Sequence, residues 1–183
     1  ADVLDFEGSL GVRFAWVLHV GDFGVWPDPA RVDGATSKHD GAGDFPAWWA
    51  ARRPAPRRTV FIKGNHEDFV WLDAQADPQV LPGLFYLRNG KRLDLTDGEH
   101  GLVVGGLGGC FGPSDYGRPS KQLQSYAKRH YTRDEIDALI ASGRIDVLLV
   151  HDAPAGVRFE RHRRGAGYVS EPLALMMRAQ VRE

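Results

Sequence analysis

The chain has 183 residues, near the size of one domain, with 43% hydrophobic and 26% charged residues, an ordinary globular composition. Its net charge of −1 excludes a global electrostatic pull toward nucleic acid, and its single cysteine, Cys110, excludes an intrachain disulfide framework. No apolar run approaches the ~18 residues of a membrane span, and nothing resembles a signal peptide, so a cytoplasmic protein with no membrane partner is expected.

In chain order, residues 1–7 read as the end of a helix that Gly8 stops. Residues 14–20 are a strand running into Gly21-Asp22-Phe23-Gly24. His19 inside it reads as a packed core histidine. Residues 26–44 are loop-like, broken by proline and glycine, and Pro46 opens a short helix over 46–53. Arg52, Arg53, Arg57 and Arg58 surround two prolines and read as a solvated linker. Val60, Phe61 and Ile62 form a continuous apolar run, the pattern of a strand buried on both faces. That run ends at Gly64 and delivers Asn65, His66 and Glu67 in succession. A helix is expected over 67–74, its amino end favouring anions. The strands 84–87 and 92–95 flank Asn89-Gly90, a hairpin signal, and 102–107 is a glycine-rich strand of a second, antiparallel-leaning sheet.

Residues 111–129 are the least regular stretch. Tyr116 and Arg118 lie in it among other basic and aromatic residues, a mixture that can hold a polyanion and stack bases. Thr132 and Glu135 form a capping box for a helix with Ile136, Leu139 and Ile140 as its apolar stripe. Residues 145–150 are a third buried strand, running into His151-Asp152-Ala153-Pro154. A basic run over 158–164 follows, then a helix opened by Glu171-Pro172 with Leu173, Leu175, Met176 and Met177 facing the core. The chain begins with Ala1 and ends inside a helix-like segment, which reads as a piece of a longer protein.

Three buried strands thus end in residues able to bind a metal: Asp22, Asn65 and His151. Ligands in open α/β sheets bind beyond the carboxyl ends of strands. A carboxylate, an amide and an imidazole there suit a divalent cation, and a pair of cations can clamp an in-line displacement at phosphorus. The alternative for each is local: a turn aspartate, a polar loop, a packed histidine.

VGDFG, KGNHE and LLVHDAP, in that order, resemble the inner motifs of the calcineurin-like metallophosphoesterases. The resemblance implies a single domain over 1–183, α/β, with two packed mixed sheets flanked by helices in a four-layer αββα sandwich, incomplete at both termini. It implies two divalent metal ions in the full-length protein, manganese first, with iron, zinc or nickel as alternatives. Asp22 would bridge the metals, and Asn65 and His151 would ligate the second. His66 would be the catalytic acid, protonating the leaving alkoxide while a metal-activated hydroxide attacks. Glu67 and Asp152 would stand behind these residues and orient them. The family's Asp-x-His and Gly-His-x-His motifs are absent from residues 1–183, which leaves this fragment's own activity open.

GDFGVW lacks the arginine of the Ser/Thr protein phosphatase pattern. Glu67 after GNH, Ser114-Asp115-Tyr116 and His151-Asp152-Ala153-Pro154 look more like RNA lariat debranching enzymes and their bacterial relatives. An Ala/Arg/Gly-rich composition points to the bacterial side. That subgroup hydrolyses a 2′,5′-phosphodiester and carries a recognition loop where 111–129 lies. The implied partner is therefore a phosphodiester or nucleotide, RNA among the candidates, with Arg118 and Tyr116 as substrate contacts. Competing readings are a non-catalytic binding module that kept the fold and lost the metals, or a nucleic-acid-binding protein using its basic stretches.

Overall fold

The structure is a computed structural model that describes residues 2–38, 42–96 and 101–154. The expected basic run at 158–164, the helix after Glu171, and His39 and His100 lie outside the described residues.

Helix α1 (Asp2–Leu10) runs through Gly8 and stops at Gly11, whose φ of +65° is the left-handed turn that ends a helix. The expected stop at Gly8 is therefore three residues early: without a positive φ, a glycine weakens a helix but does not end it. Strand β1 (Trp16–His19) pairs in parallel with β2 (Arg58–Phe61), β2 pairs in parallel with β4 (Leu84–Tyr86), and β3 (Gln79–Leu81) adds antiparallel to β4. In the second sheet β5 (Lys91–Thr96) is antiparallel to β6 (Gly101–Leu107), and β6 is parallel to β9 (Val147–Val150). A small parallel pair, β7 (Cys110–Phe111) and β8 (His130–Tyr131), completes the strands.

Asn89-Gly90 is not a hairpin turn. Strands β4 and β5 lie in different sheets, so the turn carries the chain from one sheet to the other. The Asn89 side chain donates to Gly108 O and accepts from Gly108 N–H, which ties that crossing to the end of β6.

The period of two along each strand sorts the core into layers. Val60, Ile62, Leu87, Leu95, Val104 and Leu149 fill the space between the sheets, with Trp16, Leu18 and Phe85 at its margin. On the outer face of the first sheet, Phe61, Leu84 and Tyr86 meet Phe45 of α2 (Phe45–Ala50) and Leu72 of α3 (Phe69–Ala74). On the outer face of the second, Leu107, Leu148 and Val150 meet Ile136 and Leu139 of α4 (Arg133–Ala141). The architecture is an α/β sandwich of two mixed sheets with helices on both outer faces. The sheets approach closely because Gly106 has no side chain: a Cβ there would stand 2.9 Å from Ile62 and 2.8 Å from Leu87.

The capping box forms, with Glu135 accepting from Thr132 N–H at 3.0 Å. Ile140, expected in the apolar stripe, is 41% exposed, because the stripe two turns deep needs only Ile136 and Leu139. Arg57 is not a solvated linker residue: it forms a bidentate ion pair with the buried Glu7, Nε to Oε1 at 2.7 Å, clamping α1 to the approach of β2.

Candidate functional site

Register places the site. His19 pairs with Phe61, so β1 and β2 end side by side, and Leu107 pairs with Val150, which puts His151 at the corresponding end of the second sheet. The chain leaves β1 through Gly21 and Asp22, both at positive φ, +98° and +55°. For an aspartate that conformation is uncommon and marks a local structure held by its surroundings.

The surroundings are two glycines. A Cβ on Gly21 would lie 2.6 Å from His151 Nδ1, and one on Gly64 would lie 2.0 Å from Asp22 Oδ1. Only bare backbone lets the three strand ends come this close. Asp22 Oδ1 then accepts from Asn65 N–H at 2.8 Å and His66 N–H at 3.1 Å. His151 Nδ1 donates to the Val20 carbonyl at 2.8 Å, a bond that joins the two sheets.

Sequence reasoning placed Asp22, Asn65 and His151 at one rim, and the structure brings them together. His151 Nε2 stands 2.9 Å from Asn65 Oδ1 and 3.7 Å from Asp22 Oδ2. With the Nδ1 proton committed to Val20, the neutral ring presents a lone pair at Nε2. The lone pairs of His151 Nε2, Asn65 Oδ1 and Asp22 Oδ2 then face one another, a set that a cation would satisfy. Two donors each ~2.1 Å from one ion lie about 3.0–3.4 Å apart at octahedral or tetrahedral angles. The observed separations bracket that range, and oxygen donors with one imidazole suit a first-row divalent metal. The donor set therefore fits such an ion, although among the described residues no group of three or more His, Cys, Asp and Glu side chains is so arranged. The third donor is an amide. Because Oδ1 of Asp22 is taken by backbone donors, Oδ2 is the oxygen turned to the site.

Glu67 is 1% exposed. It accepts from Phe23 N–H at 2.7 Å and Val25 N–H at 2.6 Å, pinning the loop that follows Asp22. Burial pushes its carboxyl up to about 7, against the bonds from Val25 and Phe23, which pull it down. His66 sits beside this loop. Its carbonyl accepts from Trp26 Nε1 at 3.1 Å, and its Nδ1 lies 3.3 Å from Thr36 Oγ1. Asp152 accepts from Phe111 N–H at 2.8 Å and so ties the end of β9 to β7.

Arg118 and Tyr116 each have partners within the protein. Arg118 donates to Asp115 Oδ1 at 2.7 Å and to Gln122 O, and Tyr116 packs edge-on against Phe111 and Tyr131. Asp115 also accepts from His130 Nδ1 at 2.8 Å, and these bonds from His130 and Arg118 hold its carboxyl below the usual range. His130 carried no expectation, nor did Lys63, Thr36 and Asp33. Lys63, 8% exposed, donates to the carbonyls of Lys128 at 2.6 Å and His130 at 3.1 Å; burial lowers its pKa. Asp33-Gly-Ala-Thr36 carries an Asp-x-x-Thr turn signal that reveals the local bond but not its neighbour, His66.

No family model matches the sequence. Among curated proteins, the chain is similar to a protein named lariat debranching enzyme from Schizosaccharomyces pombe, 31% identical over 128 residues, 66% of this chain and 26% of the relative. Proteins of the same name from Entamoeba histolytica and Drosophila melanogaster are 26% identical over 163 residues and 28% over 121. These matches span 84% and 62% of this chain, and 45% and 22% of the relatives. The chain therefore spans less than half the length of the relatives it matches.

Proposed function

We propose that the protein is a metal-dependent phosphoesterase that hydrolyses a phosphodiester, with RNA the substrate class favoured by the name its relatives share. The observation that carries this reading is the convergence of Asp22 Oδ2, Asn65 Oδ1 and His151 Nε2 from three strand ends. In it, these three atoms hold a divalent cation, manganese first, with iron, zinc and nickel as alternatives. Asp22 would also serve a second such cation. When bound, such an ion supplies Lewis acidity at the phosphoryl oxygens and lowers the pKa of water at the site.

The chain's own residues do the rest. The Val20 carbonyl fixes the His151 ring so that Nε2 meets the site. Backbone N–H groups of Asn65 and His66 hold Asp22 by Oδ1 and leave Oδ2 for the ion. Glu67 fixes the loop behind Asp22, and Asp152 sets the exit from β9. His66, beside Asn65, gives a proton to the departing oxygen. Arg118 and Tyr116 would contact the substrate from the 111–129 loop.

The test uses the full-length protein, shown to be folded. Mn²⁺-dependent cleavage of a 2′,5′-branched RNA oligonucleotide or an aryl phosphodiester is expected, together with loss of bound metal in Asp22→Asn. No turnover with Mn²⁺, Fe²⁺, Ni²⁺ or Zn²⁺ would refute the reading.

A further inference from the structure

We propose that Tyr126 and Arg129 form a nucleotide subsite, in which the Tyr126 ring stacks on a base of single-stranded RNA and the Arg129 guanidinium takes the adjoining phosphate. The inference rests on the reading of the substrate as an RNA phosphodiester and adds a place for one of its nucleotides.

Both residues belong to the 3₁₀ helix Ser125–Arg129. Ser125 is at φ +46°, a left-handed conformation that a non-glycine residue keeps where its surroundings impose it. Tyr126 follows and is 45% exposed, although the Arg129 guanidinium carbon lies only 3.8 Å from its ring centroid. The cation therefore covers one face of the ring and leaves the other open. An exposed aromatic face backed by a guanidinium is suited to stacking on a base, because every base offers a π-face.

Arg129 is held in a way that leaves its charge available. Its Nε donates to His130 Nε2 at 3.1 Å, and His130 Nδ1 donates to Asp115 Oδ2 at 2.8 Å. Its terminal nitrogens have no hydrogen-bond or ion-pair partner among the described residues. A guanidinium fixed at Nε with its outer N–H groups free presents a fork that matches two phosphate oxygens. The backbone on either side is clamped. Lys63 Nζ donates to the carbonyls of Lys128 at 2.6 Å and His130 at 3.1 Å, and Lys128 Nζ pairs with Asp73. Lys63 lies two residues before Asn65, so this clamp ties the segment to the strand end that carries the rim.

Charge sorts the two halves of the nucleotide. Tyr126 lines a cleft with Trp26, Phe69, Arg31, Asp33 and Asp68. Arg31 is paired with Asp68 at 2.9 Å, which leaves the Asp33 carboxylate to repel a phosphate there. An uncharged base meets no such repulsion. Trp26 Nε1 donates to the His66 carbonyl at 3.1 Å, which puts the cleft beside the residue that follows Asn65. The base then belongs on the Tyr126 side and the phosphate on Arg129.

Fluorescence anisotropy tests this, with the full-length protein and a short labelled RNA oligonucleotide in EDTA, where no cleavage occurs. Tyr126→Ala should weaken binding by about 5–100-fold, and Tyr126→Phe should bind within about twofold of the wild type. With an abasic oligonucleotide of the same length, Tyr126→Ala should bind like the wild type. Arg129→Gln should weaken binding of both oligonucleotides and lower the salt slope of log Kd by about 0.7–1. Tyr126→Leu, which fills the same place without a π-face, carries the test if Tyr126→Ala does not fold. Equal losses for the two oligonucleotides in Tyr126→Ala, an unchanged salt slope in Arg129→Gln, or a wild-type protein that does not bind the RNA overturns the proposal. The expected pattern in a folded protein with no phosphoesterase activity would instead overturn the functional reading and leave the subsite standing.

Discussion

Gly64→Ala isolates the cause of the site's geometry. The substitution adds one methyl, and an ideal Cβ at that position lies 2.0 Å from Asp22 Oδ1 and 2.2 Å from Asp22 N. Neither neighbour is a flexible side-chain end. Asp22 Oδ1 is held by two N–H groups, and Asp22 N belongs to a backbone at φ +55°. The carboxylate must retreat by about 1 Å before ordinary contact resumes, which breaks both of its backbone bonds. Hydrogen bonds to a charged group contribute about 1.5–3 kcal/mol each. Allowing for the partial exposure of Asp22, the loss should be roughly 2–4 kcal/mol, or a fall in Tm of roughly 5–15 °C for a chain of this size. Metal affinity should fall by at least 10–100-fold, the usual effect of disturbing a ligand's support. Thermal melts followed by Mn²⁺ titration calorimetry measure both. Gly117→Ala is the control, because a Cβ there meets nothing within 4 Å; it should change stability by no more than about 0.5 kcal/mol. A Gly64→Ala protein with the wild-type Tm and wild-type Mn²⁺ affinity would refute the argument that bare backbone at this position sets the site.

Two further predictions follow from single residues. His66→Ala should lower kcat by about 10²–10⁴-fold yet keep its metal, because His66 is tied to Asp22 through the backbone N–H, which alanine retains; metal analysis of the purified variant that shows an empty site would contradict this role. The Glu7 carboxyl is held below its ordinary value of 4.5 chiefly by hydrogen bonds from Arg57. Its contribution is present in full above pH 4.5 and is lost as pH falls through the lower folded value. Urea midpoints measured against pH should fall in that acid window for the native chain and less steeply for Glu7→Gln, and parallel slopes would exclude the pair as a source of acid sensitivity.

Legibility in the sequence followed the range of the interaction. The apolar runs at 14–20, 60–62 and 145–150 were readable as strands because apolar continuity is local, but only the central one is fully buried: β1, shorter than expected at Trp16–His19, is half-buried throughout and Val20 is exposed. The capping box was readable for the same reason, both partners lying within one turn. Asn89-Gly90 misled because a turn signal records the bend and not the identity of the next strand's neighbour; β5 pairs with β6 instead of β4. The carboxylate of Glu67 finds Phe23 and Val25 more than forty positions away, and Lys63 finds Lys128 and His130 at more than sixty. Nothing in their neighbourhoods announces those partners. Thr36 was the intermediate case: its bond to Asp33 is local, and its approach to His66 is not.

The site divides its donors between the two sheets, Asp22 and Asn65 on the first and His151 on the second. Its integrity therefore depends on how the sheets pack, and Gly106 against Ile62 and Leu87 sets that spacing. The Val20–His151 bond carries the constraint to the rim, and Asp152 to Phe111 carries it on to β7. A cation held by all three donors would act as a further staple between layers already joined by apolar contacts and by bonds such as Gly109 N–H to Lys63 O. By linkage, an ion that binds only the assembled rim stabilises the whole sandwich by RT ln(1 + [M]/Kd), about 2.7 kcal/mol at a hundredfold excess over Kd. If the proposed ion binds there, its occupancy and inter-sheet packing would be linked, and loosening either should weaken the other.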